Sequence, residues 1–272
     1  MAPAPPAAAE AAASKPAFTF TTKLQPPPIL SHSPSAPSSS PDGSSNNKNS
    51  PSSIILEYPT PSNPRPSTNP AIFTDAMIVR DKVFVQEQGC SAEAEIDADD
   101  ARSWHWVVYA SPDTDNNNNN AEANMPVAVI RLVPPPHAPH ETLHNPDLAE
   151  SESLPKYDLH HEPYIKITRV AVLFEFRGYG LCRMLMETVH EWAAQHAEEI
   201  NTLYEREVSN SQSQQDVSTK GWTGLVIIHA QVQVERMYRR FGYETDLSMG
   251  TWEEEGIKHV GMFKRLEVVT RA

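Results

Sequence analysis

Apolar positions along the chain fall into short strand-like runs and amphipathic helical stretches. Ser53 to Glu57 reads SIILE, a short first strand. Asn69 and Pro70 have the form of a helix cap followed by proline in the first turn, and Ile72, Ala76, Val79 and Val83 then recur at helical spacing until Gly89 stops the helix. Trp104 to Ala110 and Pro126 to Val133, rich in Val, Ile and Trp, predict two strands. Val170 to Leu173 is a further apolar strand, after which Leu181, Leu185, Val189 and Trp192 share one helical face. Gly224 to His229 reads as a fifth strand, Gln233 to Phe241 as a short helix closed by Gly242, and Ile257 to Leu266 as a final strand. Three insertions interrupt the series: 111–124, with its run of asparagines, 134–162, and 201–220, rich in Ser and Gln. Strands alternating with helices point to an α/β sheet.

Composition sets this domain, residues 53–272, apart from what precedes it. Of the 25 prolines, 16 lie in the first 70 positions, and residues 1–52 mix Pro, Ala, Ser and Asn with few large apolar side chains. Such a segment buries too little surface to offset chain entropy, so a disordered tail is expected there. The opening residues have no sustained apolar run and no arginine, which fits neither a secretory nor a mitochondrial signal. No stretch approaches the roughly 18 apolar residues of a membrane span, so a soluble cytoplasmic protein is expected, with the nucleus left open. Residues 1–70 carry four basic side chains against three acidic ones, so the remainder holds −14 of the net −13. That surface repels nucleic acid and can attract a cationic amine. Cys90 and Cys182 are read as free thiols.

The richest chemistry lies in Ile167 to Met186, where strand, glycine loop and helix follow one another. Gly178 and Gly180 let backbone approach a ligand, and the first amides of the following helix have no intrahelical acceptor, so an anion satisfies them. Two familiar phosphate loops are excluded. A dinucleotide fingerprint needs a third glycine where Arg183 stands, and a P-loop needs Lys-Ser/Thr where Leu181-Cys182 stands.

Arg177-x-x-Gly180-x-Cys182, directly after Val170-Ala171-Val172, resembles the acyl-CoA signature R/Q-x-x-G-x-G/A of the GNAT superfamily of N-acyltransferases. Further segments fall in that superfamily's order. Arg80-x-x-Val83-Phe84-Val85-x-Glu87-Gln88, Glu93-x-Glu95-x-Asp97-x-x-Asp100 and His105 resemble the opening of its ElaA-like branch. His229-Ala230-Gln231, Met237-Tyr238-x-x-x-Gly242-Tyr243 and Gly256-Ile257-x-His259-x-x-Met262 resemble its closing elements. Cys182 departs from the pattern, standing where Gly or Ala is usual. The fold implied is a mixed, mostly antiparallel central sheet of about seven strands flanked by about four helices.

The resemblance implies acetyl-CoA as co-substrate, held by Val170, Val172, Arg177, Gly178, Tyr179, Gly180, Leu181 and Cys182, with Arg183, Arg236, Arg239 and Arg240 near its nucleotide phosphates. It implies direct transfer to an amine, with Tyr238 protonating the leaving thiolate and Glu87 as general base, His105 and His259 being rivals for the latter. A small-molecule amine such as an amino sugar or polyamine is the expected acceptor, and a monomer or homodimer the expected state. A protein lysine or N-terminus as acceptor, or a non-catalytic acyl-CoA-binding module, are the alternatives. His137, His140, His144, His160 and His161 lack a fixed ligand spacing and are read as surface residues, so no metal is expected. Glu253 to Glu255 reads as a solvated turn.

Overall fold

The structure, a computed structural model, describes residues 17–31, 54–112, 124–145, 148, 154–211 and 221–269. In chain order its elements are β1 (Phe18–Gln25), α1 (Pro28–Ser31), α2 (Ala71–Arg80), β2 (Trp104–Pro112), β3 (Met125–Val133), α3 (Glu141–His144), β4 (Ile165–Val172), α4 (Leu181–Gln195), α5 (Ala197–Asn210), β5 (Leu225–Gln231), α6 (Glu235–Arg239), β6 (Glu244–Thr245), β7 (Thr251–Glu254) and β8 (Ile257–Arg265). One sheet holds the strands in the order β1-β2-β3-β4-β5-β8-β6, with β7 also on β8. Every pairing is antiparallel except β4 with β5. This is the mixed, mostly antiparallel architecture expected. No helix of the described residues is long and apolar enough to cross a membrane.

The apolar face predicted for α4 packs as its spacing requires. Leu181, Leu185 and Val189 are buried, and Trp192 lies against Trp104 and Trp106 with ring centroids 4.9 and 5.3 Å apart. On α2, Phe73, Ala76, Met77 and Val79 are buried. After Arg80 this helix widens to a π-type stretch over Asp81–Glu87, and Gly89 at φ 76° ends it, as expected.

Five expectations are corrected. The segment read as a disordered tail contributes β1, which pairs with β2 along its whole length from Phe18 opposite Pro112 to Gln25 opposite His105. Alternating Phe18-Thr19-Phe20-Thr21 is a strand pattern hidden in a proline-rich context; residues 1–16 and 32–53 lie outside the described residues. Residues 54–57 form no strand, because Asn69 takes up the backbone of Glu57: its Oδ1 accepts from Glu57 N at 2.8 Å and its Nδ2 donates to Glu57 O at 2.6 Å. Asn69 is thereby a tether, and no side chain caps α2. Residues 201–210, read as loop, complete α5, whose Ile200, Leu203 and Tyr204 are buried at helical spacing. Glu253 and Glu254 belong to β7, and the turn begins at Glu255.

A buried ionic network fastens α2 to the sheet. Arg80 is fully buried; its Nε donates to Glu95 Oε1 at 2.6 Å, its Nη1 to Asp100 Oδ1 at 2.8 Å, and its Nη2 to the Glu95 carbonyl. Arg131 of β3 donates to Asp97 Oδ1 at 2.7 Å, to Asp100 Oδ1 at 2.8 Å and to Thr168 Oγ1 of β4 at 2.8 Å. The two guanidinium groups hold the Asp100 carboxyl well below the ordinary carboxylate range against a large desolvation penalty. His105 belongs to this network, with Nε2 3.3 Å from the Asp100 carbonyl, and burial pushes its pKa down to about 4. Replacing Arg80 by Met leaves Glu95 and Asp100 buried without that counter-charge, and is expected to lower unfolding free energy by about 3–5 kcal/mol. Urea unfolding of the two proteins measures this; a midpoint unchanged at equal slope contradicts it.

Candidate active site

Parallel pairing of β4 with β5 is confined to three rungs, Ile165 with Val226, Lys166 with Ile227 and Ile167 with Ile228. Beyond them β4 stays on β3 and leaves β5, so a cleft opens within the sheet. A bulge marks the parting. On β3 only Ile130 lies between Val129 and Arg131, whereas on β4 both Arg169 and Val170 lie between their partners Ala171 and Thr168. Arg169 takes φ 53°, a left-handed conformation that costs a non-glycine residue about 1–2 kcal/mol. Its side chain is clamped by the network: Nη2 donates to the Glu95 carbonyl at 3.2 Å and to Asp97 Oδ2 at 3.3 Å.

The cleft is a cavity of about 990 Å³, near the upper end of the range for ligand pockets. At one end lies the glycine loop. Gly178 and Gly180 both take left-handed φ, 83° and 82°, and Gly180 immediately precedes α4. A Cβ built on Gly180 meets nothing within 4 Å, so its backbone conformation, not crowding within the chain, is what calls for glycine. The first amides of α4 have no intrahelical acceptor. Val170, Val172, Arg177, Gly178, Gly180, Leu181 and Cys182 all line the cavity, as do Arg183 and Arg240. Tyr179 does not: its ring packs on Phe18 and Phe20 of β1, with centroids 5.9 and 5.6 Å away. Arg236 and Arg239 also lie off the cavity, and Arg239 pairs with Glu235 at 2.7 Å.

Tyr238 is buried and lines the cavity near Cys182. Burial raises its hydroxyl pKa, so it stays protonated. No hydrogen bond to that hydroxyl occurs among the described residues. Cys182, whose thiol lies 3.7 Å from Met237 Sδ, is pushed up to about 11 by burial, and Cys90 is raised for the same reason. Neither is a thiolate nucleophile at neutral pH.

Of the base candidates, His105 does not line the cavity. Glu87 does, but its Oε2 accepts from Arg177 Nη2 at 2.7 Å, at the glycine-loop end. His259 lines the cavity and its Nδ1 lies 2.8 Å from the Ile257 carbonyl. A third imidazole was not among the base candidates. His229 on β5 lines the cavity with its side chain 9% exposed; its Nδ1 is 3.5 Å from Glu254 Oε1, and its Nε2 has no hydrogen-bond partner. Burial lowers its pKa to about 4, while the Glu254 carboxyl is held down at about 2, mainly by His229, against its own burial. A polar residue inside the apolar run Leu225-Val226-Ile227-Ile228-His229-Ala230 was the available signal.

The inserted segment after β3 folds back over the far end of the cavity. Arg102 anchors it by donating to the carbonyls of Pro134 at 2.8 Å and Pro136 at 2.7 Å. His137, read as a surface residue, is buried: it stacks on Tyr164 at 4.3 Å, and its Nε2 lies 2.9 Å from the Tyr164 carbonyl. Leu143 of α3 reaches the cavity wall. Among the described residues no three His, Cys, Asp or Glu side chains converge to hold a metal ion.

The model of the acetyltransferase (GNAT) family matches residues 90–215. Among solved structures, the chain is similar to an N-acetyltransferase candidate from Lactobacillus plantarum, with TM-score 0.44 and 23% identity over 73% of this chain and 93% of that one. It is similar also to Escherichia coli ElaA, with TM-score 0.41 and 22% identity over 72% and 92%, and to an acyl-CoA N-acyltransferase from Pseudomonas aeruginosa, with TM-score 0.40 and 20% identity over 72% and 92%. The family match spans β2 to α5 and so contains the bulge, the glycine loop and the helix start; over that stretch the chain is similar to the acetyltransferase (GNAT) family.

Proposed function

We propose that this protein transfers an acetyl group from acetyl-CoA directly to the primary amine of a small molecule, both held in the cleft at once. The observation that carries the reading is the unpaired stretch of β4 beyond Ile167, beside the open amides at the start of α4. Acetyl-CoA supplies a thioester to the amine. Amides of Leu181 and Cys182, with Arg177, seat its pyrophosphate. Backbone N–H groups of β4 between Val170 and Val172, no longer used by β5, stabilise charge gathering on the carbonyl oxygen.

Tyr238 gives its proton to the departing sulfur; its hydroxyl has no competing partner among the described residues. Proton removal from the amine is assigned to His229, with Glu254 orienting the imidazole through Nδ1 and leaving Nε2 toward the cleft. Glu87, the base inferred from the sequence, is given instead the task of holding Arg177 at the cofactor end. The raised thiols of Cys90 and Cys182 favour direct attack over an acyl-enzyme. The segment crossing the far end, with Leu143 in the wall, favours a small acceptor over a protein chain.

Purified full-length chain, needed because β1 completes the sheet, is expected to release CoA thiol from acetyl-CoA in the presence of an acceptor from a panel of amines. Acetyl-CoA at one hundred times its dissociation constant should stabilise the fold by about 2.7 kcal/mol. Tyr238→Phe should lower kcat about 100-fold or more with little change in the KM for acetyl-CoA; unchanged turnover across pH removes the acid assignment. Because burial keeps His229 neutral down to about pH 4, kcat/KM should rise from pH 5.5 to 8 only as the acceptor loses its proton. An inflection near 6.5, matching an unperturbed imidazole, would contradict the assigned environment.

A further inference from the structure

Lys166 sits in the middle of β4 between buried Ile165 and Ile167, in a strand flanked on both sides by others. A lysine placed there normally forms an ion pair or extends into bulk water. Lys166 is only partly exposed, lines the cleft, and makes no hydrogen bond or ion pair among the described residues. The carboxylates facing it are otherwise engaged. Asp99 accepts from Arg102 Nε at 2.8 Å, and Glu254 accepts from Trp252 Nε1 at 2.7 Å while lying 3.5 Å from His229. Arg131, the neighbouring cation of the wall, is spent on Asp97 and Asp100. From the inserted segment His137 and His140 also face Lys166, and burial holds both imidazoles toward the neutral form.

Register ties this lysine to the reaction. Lys166 stands opposite Ile227, so Lys166, Ile227 and His229 rise from the same face of the sheet, His229 about 7 Å farther along. There the nine-tenths-buried His229 presents its unpartnered Nε2 to the same cleft. A cation and an imidazole nitrogen, both without partners among the described residues, thus flank one compartment, at the end opposite the glycine loop. We propose that the acceptor is a small amine that also carries an anionic group, a carboxylate or phosphate, which pairs with Lys166 while its amine reaches His229. This rests on the acyl-transfer reading above and narrows it. A polyamine is disfavoured, since it would set a second cation against Lys166; the lowered pKa that burial imposes on the lysine is the cost an anionic partner relieves.

The test uses full-length chain, acetyl-CoA and matched acceptors: L-methionine against L-methioninamide, glucosamine 6-phosphate against glucosamine, and spermidine alone. In at least one pair the anionic member should have a kcat/KM about tenfold or more above its neutral counterpart, and which pair responds identifies carboxylate or phosphate. Lys166→Met should erase that preference with the KM for acetyl-CoA unchanged, and Lys166→Arg should keep it. Equal turnover within both pairs, a preference for spermidine, or a preference that survives in Lys166→Met overturns the proposal. Silence with every acceptor while acetyl-CoA still raises the melting temperature overturns the acceptor class alone. Silence without any thermal shift overturns the acyl-transfer reading and this inference with it.

Discussion

Three rungs of parallel pairing hold β4 to β5, and then the two strands part. Interior strands rarely do this, because backbone N–H and C=O groups left unpaired inside a protein cost about as much as lost hydrogen bonds. The parting is enforced by an extra residue in β4 and a left-handed Arg169 that redirects the strand. Left to itself that conformation would relax. It is fixed because the Arg169 guanidinium is gripped by Glu95 and Asp97, which are in turn gripped by Arg80 and Arg131. A buried ion network is weak evidence of net stability, since desolvation offsets much of its attraction. Its value here is positional: it joins α2, β3 and the bulge into one arrangement, and so sets the shape of the cleft.

The cleft's two ends differ in their electrostatics, and the difference orders the chemistry. At the glycine loop the charge is fixed and positive: helix amides, with Arg183 and Arg240 in the wall. At the other end acids and bases are largely paired off, leaving Lys166 and the Nε2 of His229 without partners among the described residues. Tyr238 and the β4 amides lie along the same cavity. A chain with net charge −13 thus keeps unspent positive character inside its cleft while its surface is acidic.

Much of this was legible in the sequence, and what was not has definite reasons. The strand, glycine loop and helix of 167–186 declared themselves through apolar periodicity and through two glycines whose φ values require that residue. Seven of the eight positions read as cofactor-binding do line the cleft. Tyr179 lies off it because β1, hidden by its proline-rich surroundings, covers its ring. The helical stretch 201–210 does not show in the sequence because its polar Glu, Asn and Ser outnumber the buried Leu203 and Tyr204 that anchor it. His137 was read as exposed because nothing local tells that Tyr164, far along the chain, will stack on it. His229 and Lys166 were legible only as irregularities, polar residues in apolar strands. Their meaning depends on parallel register, which one sequence does not state.

Hydrogen exchange on the full-length chain, with and without acetyl-CoA, tests the central claim that the parting of β4 from β5 is where the thioester end enters. Protection is expected at the amides of Val170 to Val172 and of Gly178 to Cys182, with the three paired rungs at Ile165 to Ile167 unchanged. Protection of the α4 start without any at Val170 to Val172 would contradict the account, for it would place the pyrophosphate correctly while leaving the cleft between the strands unused.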